Sequence, residues 1–238
     1  MVSLKKKFEF LDDGIDIPFY NDVPKLSALD WVIVFASVIL MIGVITVIPI
    51  PGDYLPIAVF LIGTVPALYS CKGNYGLFFK KLRLKDFGLI ILCVIGMYVY
   101  SIVISMILNA FLGMAPHASI GEQVTLMTAL GMLIQLMGEE LFKILLLLLI
   151  MYAIYKLTSN RGMALSIGLI ASMVIFGIVH YNAYNGRILQ IILIQGFGSI
   201  FEYYAFLKTK NVWVGYLIHV IRDFIPVILN ILHILPTV

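Results

Sequence analysis

Long apolar runs constrain this chain more than any other feature. Seven stretches of about 20 residues, most of them longer, follow one another through its 238 residues with few charges inside them. A helix needs roughly 20 apolar residues to cross a bilayer. Only helices and closed barrels satisfy their own backbone hydrogen bonds in lipid. The runs are continuous rather than alternating, so the expected fold is all-α, a polytopic transmembrane helical bundle of about seven spans. The chain is 62% hydrophobic and 12% charged, well beyond the ~45–50% apolar content of a soluble domain. Spans are expected at 29–50, 54–71, 87–112, 123–155, 162–184, 188–207 and 212–234. Pro56 and Pro66 are expected to bend the second, and Gly138 is a candidate break in the long fourth.

The basic residues set an orientation. With the N-terminus in the cytoplasm, Lys5, Lys6, Lys7, Lys25, Lys72, Lys80, Lys81, Arg83, Lys85, Lys156, Arg161, Lys208 and Lys210 fall inside, and only Arg187 falls outside. That asymmetry follows the positive-inside rule and places the C-terminus outside. The expected organisation is a cytoplasmic segment 1–28, three transmembrane helices within 29–122, and a four-helix core over 123–238. Glu9, Asp12, Asp13, Asp16 and Asp22 follow Lys5–Lys7 before any apolar run, unlike a cleavable leader, so the first span is read as an anchor. The stretch from Lys72 to Asp86 mixes cations with Phe78, Phe79, Leu82 and Leu84, as an interfacial loop on anionic lipid does. A formal charge of +3 is too small to suggest nucleic acid. Cys71 and Cys93 match no metal or redox spacing and sit too far apart in depth for a structural disulfide. Tyr203, Tyr204, Tyr216 and Trp213 suit an aromatic belt at the inner boundary, and His117 and His233 fall at the outer interface.

A charge at the bilayer centre costs at least ~2.5–3.5 kcal/mol on translocon scales, so each one inside a span needs a reason. Glu139 and Glu140 lie in the fourth span with Lys143, which is within reach of either along the helix; Gln135 and Thr128 extend that stripe. Ser172, Phe176, His180 and Tyr184 recur every four residues in the fifth span. In the seventh, His219 and Asp223 stack one turn apart, with Asn230 two turns on and Arg222 able to offset the aspartate. Glu202, in the sixth, is read as structural, snorkelling toward the cytoplasm near Lys208. Each group taken alone has an ordinary structural explanation. Together, two carboxylates and two histidines on three helices are what a water-activating site needs: a general base and donors to an oxyanion, or ligands to a metal.

The order of these motifs resembles the CPBP family of intramembrane proteases, also called the Abi or CAAX-protease family, whose pattern is EExxxR, FxxxH and HxxxN or HxxxD on three helices. Here the pattern is met by Glu139-Glu140, Phe176 to His180, and His219 to Asp223, and Asn211 to His219 resembles the family's lead into its last histidine. Ile144 stands where the family has arginine; Lys143 gives instead an EExxK spacing similar to PrsW-type proteases. The resemblance implies an endopeptidase acting on membrane-associated proteins or peptides. It implies Glu139 as the water-activating residue, Glu140 as its partner, His180 and His219 completing the site, and Asp223 supporting the oxyanion or the second histidine. Lys143, Phe176 and Arg222 support that set. Zinc is the alternative to metal-free chemistry, but no HExxH is present and the glutamic reading, with no cofactor, is favoured. Competing functions are an inactive family member acting as a scaffold or regulator of a sensor kinase or other partner, and a proton-coupled transporter. The expected location is a bacterial plasma membrane. One tension stands: His180 falls near the outer end of its span, and His219 only ~10 Å from the inner end of its own.

Overall fold

A computed structural model describes residues 16–115 and 125–231. They contain seven helical units: α1 Ala28–Thr46, α2 Leu55–Ser70, α3 Leu84–Phe111, α4 Leu126–Thr158, α5 Arg161–Ile178, α6 Ile188–Thr209 and α7 Val212–Ile231. There is no strand among the described residues, and the chain is the all-α bundle expected. By length and composition α1, α3, α4, α5 and α6 can each cross a membrane, while α2 is apolar but shorter. His117, His233 and Lys5–Lys7 lie outside the described residues.

Local chemistry starts the helices where they start. Ser27 caps α1 in a reciprocal box with Asp30, Thr125 caps α4, and the Asn160 side chain accepts from the Met163 N–H of α5; each satisfies an N–H that a helix start leaves open. The α4–α5 turn passes through Ser159 at φ 51°, and Arg187 closes the far end of α3 by donating to the Leu112 and Gly113 carbonyls.

Helix α4 is the axis, packed against α1, α2, α5 and α7. Its residues from Leu136 to Leu148 are buried all round. Gly138 does not break it. A Cβ on Gly138 would meet Phe60 Cα at 2.7 Å, and one on Gly63 would meet Gly138 Cα at 3.0 Å. The two glycines are a backbone-to-backbone crossing of α2 and α4, a small-residue packing typical of membrane helices. Pro56 sits in the first turn of α2, where a proline needs no bend. Helix α3 is the opposite of α4. It packs Ile90, Cys93 and Met97 against Ala205, Val214 and Ile218 of α6 and α7, and turns Ile91, Leu92, Ile95 and Val99 outward. Cys71 and Cys93 are both free thiols.

Helix α6 is irregular where a plain span was expected. Residues Ile191–Gly196 form a π-helical turn and Phe197–Ser199 a 3₁₀ turn before regular helix resumes. The cause is a close approach to α5: a Cβ on Gly177 would meet Ile192 Cα at 3.1 Å and Gly196 Cα at 3.2 Å. The α6–α7 turn is also sunk into the bundle. Lys210 and Asn211 are each 1% exposed, because residues 78–80 cover them: Val212 N–H donates to the Phe78 carbonyl at 2.7 Å, and the Asn211 amide bonds both backbone groups of Lys80 at 3.1 Å. Lys210 is therefore no surface cation, and its Nζ donates to the Leu207 carbonyl.

Candidate active site

Glu139 and Glu140 are adjacent on α4, so their side chains leave the helix about 100° apart and meet different neighbours. Glu140 turns toward α7. Its Oε2 lies 2.6 Å from Lys143 Nζ and 3.4 Å from His219 Nδ1, and it packs over Gly215, where a Cβ would collide with it. Lys143 is 1% exposed, pairs also with Glu202, and sits 4.9 Å above the Phe176 ring. Glu202, 0% exposed, continues to Arg222 at 3.5 Å. The Arg222 guanidinium donates to Gln195 Oε1 and lies 3.8 Å from Asp223, and Asp223 Oδ2 is 3.7 Å from His219 Nε2. Cations and carboxylates thus alternate across α4, α6 and α7, the arrangement that offsets the several kcal/mol of desolvation each buried ion costs.

Glu139 turns the other way. It accepts a 2.8 Å hydrogen bond from the Gln135 amide and forms no ion pair among the described residues. Just past the end of α5, His180 Nδ1 bonds the Phe176 carbonyl at 2.8 Å. A carbonyl only accepts, so Nδ1 carries the hydrogen and Nε2 is left as the second nitrogen of the site. The groups acting electrostatically on the His180 ring are Glu139, Arg222 and His219.

The two histidines share a wall. The Phe176 ring is edge-on to His180 at 4.9 Å and to His219 at 6.3 Å between centroids. Two local features set how these elements meet. The α6–α7 turn is buried under residues 78–80. Helix α5 ends at Ile178, and the His180 side chain folds back onto its last turn.

The structure therefore gathers Glu139, Glu140, His180, His219 and Asp223, with Lys143, Phe176 and Arg222 among them. Of the two glutamates within its reach, Lys143 pairs with Glu140, and it pairs also with Glu202. Several expectations need correction. Glu202 does not snorkel; it is the hub between α4 and α7, and the signal for it was an intramembrane carboxylate with no cation one turn away on its own helix. Tyr203 is not in an aromatic belt: its side chain is buried and its hydroxyl faces the Lys143 carbonyl at 3.5 Å. Thr128 belongs to the α4 cap, bonding Thr125. Tyr184 lies beyond the end of α5 and reaches the site through Gln195, which donates to its hydroxyl. The Asn230 side chain lies outside what the structure describes.

Residues 121–225 match the family described as type II CAAX prenyl endopeptidase Rce1-like. That segment, a little under half of the chain, is similar to the CPBP/CAAX protease family. All five site residues fall inside the matched segment. The match is to the CAAX type; the EExxK likeness to PrsW-type proteases finds no counterpart in it. No curated protein and no solved structure matches the chain. The family is one of intramembrane endopeptidases, which gives the gathered carboxylates and imidazoles a general class of chemistry.

Proposed function

We propose that this protein is an intramembrane endopeptidase in which Glu139 activates water. The observation that carries the reading is the asymmetry of the glutamate pair. Glu140 is neutralised by Lys143, whereas Glu139 has only a neutral amide as partner and acts electrostatically on the His180 imidazole. A carboxylate without a counter-cation in an apolar site is suited to take a proton. Glu139 removes a proton from water as its oxygen attacks the scissile carbonyl carbon. His180, with its hydrogen on Nδ1, offers Nε2 as an acceptor that orients the attacking water, and His219 donates to the oxyanion that forms, its ring oriented by Glu140 near Nδ1 and Asp223 near Nε2. As the C–N bond breaks, the proton held by Glu139 passes to the leaving amine.

A metal-free mechanism is favoured by the donor set. Glu140, Glu202 and His219 each offer an atom within 4.8 Å of the others, a spacing that suits a cation. The Lys143 ammonium already pairs with both of those carboxylates, and a zinc ion there would meet it at close range. These residues do not fit zinc while Lys143 is charged.

The substrate is a membrane-associated protein or peptide. The protein lies in a bacterial plasma membrane with its N-terminus in the cytoplasm, a reading supported by the gathering of Lys72, Lys80, Lys156 and Arg161 at one end of the bundle. The test is reconstitution of the pure protein with a library of membrane peptides, comparing wild type with Glu139→Gln and His219→Asn. Cleavage by wild type, lost in both variants, is expected. Full cleavage by Glu139→Gln would overturn the assignment, and proton flux without cleavage would favour a transporter.

A further inference from the structure

A second site lies at the basic end of the bundle, over the sunken α6–α7 turn. Phe79, Lys80, Lys81, Leu82 and Trp213 line a surface cavity of about 470 Å³. Its floor is fixed: the Asn211 amide holds the Lys80 backbone, and the Phe79 ring is edge-on to Trp213 at 5.9 Å. Lys80 Nζ is held at the rim by the Thr209 carbonyl at 3.3 Å, and Lys81 is exposed beside it.

The charge there is one-signed. At this end Asp16, Asp22, Asp30 and Asp86 pair with Arg161, Lys156, Lys72 and Arg83, and none of the residues lining the cavity is acidic. The apolar side is equally directed. Trp213 and Leu82 are partly exposed at the cavity, and the outward face of α3 begins beside it with Leu84, Phe87 and Ile91. A cationic cavity with an aromatic wall, opening onto a helix face that meets lipid, has the two-part chemistry of a phospholipid: phosphate at the water boundary and acyl chains below it.

We propose that this cavity binds the headgroup phosphate of an anionic phospholipid, with its acyl chains along the outward face of α3. Bound there, the lipid braces residues 78–82 over the α6–α7 turn and so helps hold the depth at which α6 and α7 present Glu202 and His219. The inference does not depend on what the buried site catalyses.

The chain has two tryptophans, Trp31 and Trp213, so Trp31→Phe leaves Trp213 as a reporter. The protein is placed in bilayers containing phosphatidylglycerol or phosphatidylcholine with brominated acyl chains, at equal mole fraction, and tryptophan quenching is compared. Stronger quenching by the brominated phosphatidylglycerol is expected, and Lys81→Gln should reduce the relative affinity about fivefold. Equal quenching by the two lipids, or a preference unchanged in Lys80→Gln/Lys81→Gln, overturns the proposal. Relief of quenching by inorganic phosphate would overturn lipid as the occupant. If Trp31→Phe does not fold, the difference between wild type and Trp213→Phe carries the same measurement.

Discussion

The two halves of the buried site are built on opposite principles. On one side Glu140, Lys143, Glu202 and Arg222 form a closed network in which every charge faces an opposite one. On the other, Glu139 has a single neutral partner, and its charge acts on the His180 ring. The two carboxylates are consecutive in sequence and on one helix, so propensity and position along α4 do not separate them. The difference comes from what α5, α6 and α7 bring to each side. The closed half holds the helices in place, and the open half is left free to exchange a proton.

The largest effect expected from breaking this contrast is on activity. Glu139→Gln should lower turnover of any cleaved substrate by about 10²–10⁴-fold while leaving the unfolding midpoint in mixed micelles near wild type, since only one neutral hydrogen bond changes. Lys143→Met should do the reverse in emphasis. It leaves Glu140 and Glu202 buried and close together without their ammonium, a loss of about 3–5 kcal/mol visible in equilibrium unfolding. If Lys143→Met proved as stable as wild type, the closed half would not be the structural one. His180→Gln should cost about 10²-fold in turnover with little change in substrate binding, measured as a split between kcat and KM.

The smallest expected effect lies outside both halves and calibrates them. Burial pushes the Asp16 carboxyl up, but the hydrogen bonds from Arg161 and Tyr20 outweigh it and hold the group below the usual carboxylate range. Its contribution is therefore present above the unfolded-state value near ~3.9 and is lost as pH falls through the lower, folded value. Asp16→Asn should flatten the acid limb of the stability profile in that window. The half-exposed pair should change stability by no more than about 1 kcal/mol.

Much of this was legible in the sequence. The span expected at 29–50 is Ala28–Thr46 and that at 87–112 is Leu84–Phe111, because hydrophobic length is a local property; the stretch 212–234 is helical over Val212–Ile231. The five candidate residues stand out in the sequence because lipid makes any intramembrane polar group conspicuous. What escaped was relative depth. Counting along a helix gives each residue a height within its own span, but not the offset between neighbouring helices. The contacts between helices supply that offset: the Phe176 ring lies against both His180 and His219, and buried Glu202 is met by Lys143 from α4 and Arg222 from α7. Gly138 shows the same limit: a glycine mid-helix signals either a break or a close approach, and only the partner, here Gly63, decides which.

That crossing of Gly63 and Gly138 has a consequence for where this molecule can be divided. The recognisable stretch begins at residue 121, yet the backbone of α2 touches α4 one residue before the glutamates. Resemblance and mechanics thus draw different borders. A graft of the recognisable stretch onto other helices would carry the reactive groups without the wedge that sets their pitch, so the smallest transplantable part of this protein includes Leu55–Ser70.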